Sequence, residues 1–325
     1  MNWKKTFINT VFLLLVGVLL CACAQKDLPE ETTEFSESAT ETVERPMNGQ
    51  VELVYEGGAR YIGNLTDGKR SGQGKLIFPD GAEYEGNWEN DVRSGEGTYR
   101  WADGGVYSGK WENDLRCGMG TMTYAGGSVY SGQWQNDQPH GNGTMRYGDE
   151  SVYEGSWENG KRCGKGVYTW AGGAKYDGDW AEDVRCGMGS MIFADGSVYA
   201  GQWANDQRNG KGSMQRSDGA IYVGDFLNDF CHGQGTITYP NGDIYEGSWE
   251  QDYQSGYGVM KYSAGHVYEG EWKSNARWGE GTFTYVDGDS YSGGWENDVR
   301  SGYGKYTFAD GTVIEGQWVN DEPVQ

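Results

Sequence analysis

A fixed period of 23 residues runs through most of this chain and limits what it can fold into. The tripeptide Tyr-x-Gly recurs twelve times without an insertion or deletion, with Ile in place of Tyr in the last copy. The copies begin at residues 61, 84, 107, 130, 153, 176, 199, 222, 245, 268, 291 and 314. A short unbroken period indicates a stack of similar supersecondary units that contact mainly their neighbours. It therefore argues against a globular core built around one deep catalytic pocket.

Each period reads as two antiparallel strands. Tyr84, Gly86 and Trp88 alternate with polar residues, which is the pattern of a strand with one apolar and one polar face. A polar turn follows, and a second alternating segment then places Tyr99 and Trp101 on one face. The Asp-Gly pair after that segment is a hairpin signal. The sequence therefore predicts an all-β fold: an elongated, single-layer antiparallel meander of tandem 23-residue hairpins, twisted and curled.

One face of this sheet is aromatic or apolar in nearly every repeat. Interior glycines let a ring approach the backbone closely, so we expect Gly86 to make room for a ring such as Tyr99. We expect most of the aromatic ladder to be core by mutual packing, while an apolar groove stays open as an interaction surface. The candidate binding residues of that groove are Tyr99, Trp101, Tyr124, Tyr147, Trp170, Tyr239, Tyr262 and Tyr285.

When the repeats are aligned, residues at equivalent positions form columns. These columns resemble the MORN (membrane occupation and recognition nexus) repeat, whose unit is similar to YEGxWxxGxxxGxG. The match is fullest at Tyr153, Glu154, Gly155, Ser156, Trp157, Gly160, Gly164 and Gly166. Two copies depart from the unit, with Leu65 and Phe226 in place of Trp. The resemblance covers about residues 49–320 and implies a repeat domain over 49–325. Some MORN arrays accompany catalytic domains, but no segment outside these repeats is large enough to be one.

Residues 1–22 read as a secretory signal peptide. Lys4 and Lys5 form its positive region, and Phe7–Leu20 supplies an apolar core. The sequence up to Cys23 resembles a bacterial lipobox, with Leu20 at position −3 and a small residue directly before the cysteine. We therefore predict that Cys23 is lipidated. The alternatives are an ordinary cleaved signal or an uncleaved anchor.

Residues 23–48 are predicted to be a disordered tether. They are rich in Glu, Thr and Ser and nearly free of large apolar groups, so they bury too little surface to order themselves. Their acidic side chains repel one another and extend the segment. The arrangement resembles that of surface lipoproteins in Gram-positive bacteria. It implies a location at the bacterial cell membrane, lipid-anchored and facing the extracytoplasmic side.

The formal net charge of −22 limits the partners. Residues 1–46 carry four basic and seven acidic side chains, a net of −3, so the repeats carry −19 of the total. Basic patches bind nucleic acid and anionic headgroups, so we expect no nucleic-acid partner and disfavour the phospholipid binding proposed for some MORN proteins. The candidate partners are an unknown protein or a second copy of the chain. The alternative is an envelope glycan that stacks on exposed rings.

Residues suited to catalysis are scarce. His140, His232 and His266 are the only histidines, and they form no Ser-His-Asp order, HExxH motif or P-loop. We therefore predict no enzyme activity, no catalytic residue and no cofactor. The sequence is typical of a non-catalytic, membrane-anchored surface scaffold that acts through protein–protein interaction.

Two further sets of residues at equivalent repeat positions suggest disulfides and a metal site, but a simpler interpretation is favoured for each. The cysteines Cys117, Cys163 and Cys186 share a column, with Cys231 one position earlier in its copy. Neighbours in that column lie roughly 9 to 10 Å apart, beyond the ~7 Å that a disulfide spans, so we predict free thiols. The acidic turns suggest calcium, but an arginine often follows two residues later. We therefore expect turn capping and ion pairs rather than a metal site.

Overall fold

The computed structural model describes residues 46–324. The predicted signal peptide, Cys23 and the predicted tether up to residue 45 lie outside the described residues. Each strand pairs antiparallel with the next one along the chain, which gives one open sheet of 25 strands. The predicted all-β meander of hairpins is confirmed.

Two kinds of strand alternate. First strands carry the Tyr-x-Gly motif and are β2 Arg60–Thr66, β4 Glu83–Glu89, β6 Val106–Glu112, β8 Val129–Gln135, β10 Val152–Glu158, β12 Lys175–Ala181, β14 Val198–Ala204, β16 Ile221–Leu227, β18 Ile244–Glu250, β20 Val267–Lys273, β22 Ser290–Glu296 and β24 Val313–Val319. Second strands are β1 Gly49–Val54, β3 Lys69–Ile77, β5 Val92–Arg100, β7 Leu115–Thr123, β9 Gln138–Arg146, β11 Lys161–Thr169, β13 Val184–Ile192, β15 Gln207–Gln215, β17 Phe230–Thr238, β19 Tyr253–Lys261, β21 Ala276–Thr284, β23 Val299–Thr307 and the short β25 Glu322–Pro323.

Two kinds of turn also alternate. A two-residue turn joins each first strand to its second strand, and after β4 both of its residues, Asn90 and Asp91, have positive φ (51° and 73°). This is the type I′ geometry that matches the twist of a hairpin. A five-residue turn leads on to the next repeat, as where the Phe78 N–H donates to the Ala82 carbonyl at 2.8 Å. Because strand direction alternates, all tight turns lie at one end of the strands and all wide turns at the other. We call these the tight-turn side and the wide-turn side of the sheet.

A row of paired glycines crosses the sheet beneath the tyrosine rings. Gly97 pairs with Gly86 on one side and with Gly109 on the other. A Cβ atom on Gly86 would lie 2.6 Å from the Tyr84 hydroxyl, so only glycine fits there. The expectation that Gly86 makes room for Tyr99 is therefore wrong. The ring above it belongs to Tyr84, whose side chain leans along its own strand over the residue two positions on.

The core is a single layer of interlocked rings. Tyr84 has no exposed surface, and the same is true of the Tyr of every repeat from Tyr61 to Tyr291. Its ring meets Trp88 edge-on at 5.1 Å and Trp111 of the next repeat at 5.5 Å. The polar atoms are also satisfied, since the Tyr84 hydroxyl donates to the Asn87 carbonyl at 2.9 Å. Mutual packing along the sheet thus replaces a second layer.

Candidate functional site

The predicted groove residues lie along the wide-turn side of the aromatic face. Seven of them occupy the first position of a wide turn, and Tyr99 lies two residues before such a position. All eight are half-buried and pack against the core. Tyr99 and Trp101 are in ring contact at 4.6 Å. We call the line formed by the first residues of the wide turns the wide-turn rim.

The wide-turn rim is divided by one charged residue. Its members, in chain order, are Tyr55, Phe78, Trp101, Tyr124, Tyr147, Trp170, Phe193, Arg216, Tyr239, Tyr262, Tyr285 and Phe308. Arg216 therefore separates seven aromatic positions from four. The structure places seven of the eight predicted groove residues on this rim but not in one continuous stack. Ring contacts run instead between the rim and the neighbouring column, as between Tyr147 and Tyr168 at 5.8 Å.

The rim hydroxyls are uncharged hydrogen-bonding groups. Burial raises the pKa of Tyr124 and of Tyr147 to about 12, and burial also raises the pKa of Tyr239. These phenols therefore stay protonated at physiological pH. Tyr239 accepts a hydrogen bond from Gln254 Nε2 at 3.0 Å. The rim thus offers ring faces and neutral hydroxyls on a chain that is otherwise strongly acidic.

An arginine clasp joins successive repeats on the tight-turn side. Arg93 donates its backbone N–H and its Nε to Asp114 Oδ1, at 2.8 and 2.9 Å, and its Nη2 to the Asp114 carbonyl at 2.9 Å. Its guanidinium also lies 4.2 Å from the centre of the Trp111 ring. Each clasp therefore ties one tight turn to the next through charge, hydrogen bonds and a cation–π contact.

The expected ion pairs of the acidic turns are confirmed, and each one joins two different repeats. Asp91 is bound by Arg70 of the preceding repeat, whereas Arg93 reaches forward. The expected capping of turns is confirmed, because the aspartate accepts a backbone N–H. The sequence signal is an Arg and an Asp 21 residues apart. The clasps are Arg70–Asp91, Arg93–Asp114, Arg116–Asp137, Arg162–Asp183, Arg185–Asp206, Arg208–Asp229, Arg277–Asp298 and Arg300–Asp321.

Besides Met47, which faces Gly68 before the first complete repeat, three junctions between complete repeats have another residue in place of the arginine. Pro139 faces Gly160, Cys231 faces Asp252, and Gln254 faces Asn275, and in each the backbone bond between the turns is kept. Cys231 and Gln254 are buried and still donate their N–H groups to the opposite side chain, both at 2.7 Å. The fold is therefore maintained at these junctions without the guanidinium.

Side chains at the end of the wide turns form a second kind of link. Asp243 Oδ1 accepts the N–H of Ser263 at 2.7 Å, and His266 Nδ1 accepts that of Val286 at 3.1 Å. Asp289 Oδ1 accepts the N–H of Ala309 at 2.9 Å. We call these contacts wide-turn caps. They occur in three successive repeats, and elsewhere Ser128 and Ser197 make the same contact.

The cysteines of the described residues are free thiols, as predicted. Cys117, Cys163 and Cys186 are half-buried, and Cys231 is buried. Burial, with a further contribution from Asp252, raises the pKa of Cys231 to about 12. Between residues 46 and 324, no three His, Cys, Asp or Glu side chains are grouped closely enough to hold a metal ion.

The opposite face carries a shallow trough rather than a closed cavity. Met188, Ala200 and Val223 line it, together with the glycine row of β14 to β18. Met188 and Val223 are both 55% exposed. In the part of the chain that the structure describes, no helix is long and apolar enough to cross a membrane.

Comparison with known families gives one extensive match. The model of the MORN repeat matches eleven consecutive segments without a gap. They are residues 61–83, 84–106, 107–129, 130–152, 153–175, 176–198, 199–221, 222–244, 245–267, 268–290 and 291–313. No curated protein matches the chain.

Among solved structures, the TCP10 domain of CPAP from Danio rerio, in complex with a STIL peptide, is similar at 12% identity. The match covers 83% of this chain and 100% of that domain, with a TM-score of 0.32. The TCP domain of SAS-4 from Drosophila melanogaster, in complex with a proline-rich motif of Ana2, matches at 13% identity over 62% and 90%, with a TM-score of 0.28. Virginiamycin B lyase from Staphylococcus aureus matches at 13% identity over 86% and 85%, with a TM-score of 0.15. These scores are too low to support a functional argument.

Proposed function

Because this chain belongs to the MORN repeat family, we propose that it is a non-catalytic scaffold of the bacterial cell surface. A lipid on Cys23 holds it in the cell membrane, with the repeats on the extracytoplasmic side. The wide-turn rim binds a protein partner. The membrane anchor is supported by the lipobox-like sequence before Cys23.

The observation that carries the binding proposal is the uncharged stretch of the wide-turn rim before Arg216. Trp101, Tyr124, Tyr147 and Trp170 occupy equivalent positions in four successive repeats and are all half-buried. Tyr and Trp are enriched in the cores of protein interfaces, from which charged residues are depleted. An aromatic stripe on a chain of net charge −22 therefore supports binding of an apolar protein surface.

Site-specific photo-cross-linking in intact cells tests this proposal. A benzophenone side chain at Tyr124 or Tyr147 is expected to capture one defined protein. The matched control is the same group at Met188, which is 55% exposed on the opposite face. Equal capture from both faces, or capture from neither, contradicts a partner site on the rim.

An envelope glycan is the second candidate, because half-exposed rings can stack against sugars. Purified wall material would then retain the full chain, and the double variant Tyr124→Ala/Tyr147→Ala would lose that retention. Binding to vesicles of anionic phospholipid is expected to be weak, because the acidic surface repels the headgroups. Tight vesicle binding by the unlipidated chain would favour a lipid ligand instead.

The anchor has its own test. Metabolic labelling with palmitate is expected to label the wild-type chain, and Cys23→Ala should abolish the label. Cys21→Ala is the matched control, because it leaves the predicted attachment site in place. Labelling that depends on Cys21 or on neither cysteine would reject the predicted anchor.

A further inference from the structure

We propose that copies of this chain associate head to tail, with the free edge of β24 in one copy pairing with the free edge of β1 in the next. The inference rests on the proposed scaffold function and deepens it, because it names a second copy as a partner. Such a heterologous contact adds copies one after another, into open chains or, where the rotation between copies closes, into rings. The repeat then continues from one copy to the next.

Both strands have an edge that the described residues leave uncovered. β1 pairs only with β2. β24 pairs with β23 along its length, but β25 and the segment after it cover only its last part, from Gln317 onwards. On the first part of β24, Val313 and Ile314 are 44% and 38% exposed. Unpaired backbone groups at such an edge can pair with another chain.

The two strands are complementary halves of one repeat. β1 is a second strand, since Leu53 pairs with Tyr61 as Leu76 pairs with Tyr84. β24 is a first strand. Within a repeat, the Tyr of the first strand pairs with the second-strand residue in the column of Leu53, as Tyr84 pairs with Tyr99. Continuing that register places Ile314 opposite Leu53 in the next copy. A shift of one residue would turn the side chains to the wrong face.

At this junction two residues differ from those at equivalent positions of the other repeats, and one difference makes room for the other. Gly316 would face Val51, which is the only non-glycine in the glycine row of the described second strands β1 to β23. Inside the chain such a side chain is excluded, because a Cβ on Gly97 would collide with the ring of Tyr84. Ile314 is the only residue other than Tyr in its column. Without the tyrosine ring, the space above the glycine row can hold the Val51 side chain.

Charge opposes this contact and limits its strength. In the same register Glu315 faces Glu52, and like charges directly opposite one another destabilise a strand pair. The repulsion is reduced because Arg60 lies 3.3 Å from Glu52 and the Tyr303 hydroxyl donates to Glu315 at 2.9 Å. Association is therefore expected to strengthen with added salt and in the Glu52→Gln variant.

Cysteine cross-linking of the full chain tests the register. The double variant Leu53→Cys/Ile314→Cys is expected to give a ladder of multimers under non-reducing conditions, whereas mixing the two single variants should give mainly dimers. Glu52→Cys/Ile314→Cys is the register control and should give no ladder, because residue 52 points to the other face. Absence of the ladder, or efficient dimers of Leu53→Cys alone, would overturn the proposal.

A substitution and its rescue test the matched residues. In the purified full chain carrying Cys21→Ala and Cys23→Ala, Ile314→Tyr is expected to weaken association by at least about tenfold, because the new ring overpacks against Val51. Adding Val51→Gly should restore it. Sedimentation velocity measures association, and circular dichroism checks that each variant is folded. Unchanged association of Ile314→Tyr contradicts the proposed contact.

The two proposals can fail separately. The Tyr124→Ala/Tyr147→Ala variant should keep head-to-tail association while losing capture by a benzophenone at the neighbouring rim position Trp170. Capture at the rim without any association rejects only the head-to-tail contact. Association without capture rejects only the partner site.

Discussion

The segment from β17 to β21 couples its repeats differently from the segment from β3 to β8. From β3 to β8, arginine clasps on the tight-turn side join each repeat to the next. From β17 to β21, two successive junctions lack the arginine, at Cys231 and Gln254. The wide turns within and directly after that segment carry caps from Asp243, His266 and Asp289. The two missing clasps thus lie where wide-turn caps occur in successive repeats, and the strand pairing is unchanged.

The difference shows that this fold accommodates more than one kind of link between repeats. The stability of a repeat array is close to a sum of repeat terms and neighbour terms, so a junction can be rebuilt locally. In two of the junctions without an arginine, both facing residues differ from the usual Arg–Asp pair. Pro139 has no N–H, and the facing residue Gly160 has no carboxylate. Gln254 and its partner Asn275 are both neutral. These two replacements avoid leaving a carboxylate without its cation.

The largest effect is expected from Trp111→Ala, which should cost about 3–5 kcal/mol. Trp111 is 1% exposed, contacts three tyrosines and lies beneath the Arg93 guanidinium. Trp249→Ala is the matched control at a junction without a clasp. Its cost should be smaller by about 1 kcal/mol, because no clasp arginine stacks on it. Native-state hydrogen exchange measures both. Equal losses would show that the clasp adds nothing to the tryptophan.

Arg93→Ala should destabilise its junction by about 2 kcal/mol, because it removes charge-assisted hydrogen bonds and a cation–π contact. The effect should be confined to the neighbouring repeats, as expected for a linear array. A double-mutant cycle with Asp114→Ala should show a favourable coupling energy. Additive losses, or protection lost uniformly along the sheet, would argue that clasps do not act locally.

Asp289→Ala should cost about 1 kcal/mol, because the carboxylate accepts the N–H of Ala309 and the hydroxyl of Tyr306 at 2.6 Å. The matched control is Asp287→Ala, which removes a carboxylate from the same wide turn. Hydrogen exchange at Ala309 reports the cap directly. If Asp287→Ala accelerates that exchange equally, the effect is one of turn geometry and not of the link between repeats.

Installing a clasp should have a smaller, stabilising effect. Cys231→Arg places the usual residue opposite Asp252, but Arg216 already acts on this region, since its charge opposes the rise in the pKa of Cys231. We expect no gain from the single variant and about 1 kcal/mol from Cys231→Arg/Arg216→Tyr. Urea unfolding monitored at this segment measures the difference. If Cys231→Arg alone gives the full gain of about 1 kcal/mol in unfolding free energy, Arg216 does not interfere with the new clasp.

Acidification should weaken the wide-turn caps slightly. The pKa of Asp243 is lowered, mainly by the backbone N–H of Ser263. Its contribution to stability is therefore complete above the ordinary Asp pKa of about 3.9 and is lost as the pH falls through the lower folded value. Exchange at Ser263 should accelerate in that range. Asp243→Asn should remove most of this pH dependence, and its persistence in the variant would assign it to another group.

The strands, hairpins and aromatic face could be predicted because each is a local pattern of alternation and turn residues. The cysteines could be predicted to be free because one repeat is longer than a disulfide can span. Contacts between neighbouring repeats were harder, since a strict period does not say which copy a side chain reaches. The sequence predicts ion pairs at the acidic turns but not that Arg93 binds Asp114 of the next repeat. It also does not show that the Tyr84 ring, rather than that of Tyr99, covers Gly86. The binding role of the rim cannot be read from a pattern, because it depends on a ligand.

The alternation of Tyr and Trp rings through the core also makes the sheet a row of fluorescence energy-transfer pairs. Tyr107 lies 5.2 Å from a tryptophan ring on each side, and equivalent tyrosines are enclosed in the same way along the sheet. At such separations light absorbed by tyrosine is transferred to tryptophan, so the folded repeats emit almost entirely as tryptophan. Tyrosine emission will emerge when repeats open, and the chain therefore carries its own fluorescent report of how much of the array has opened.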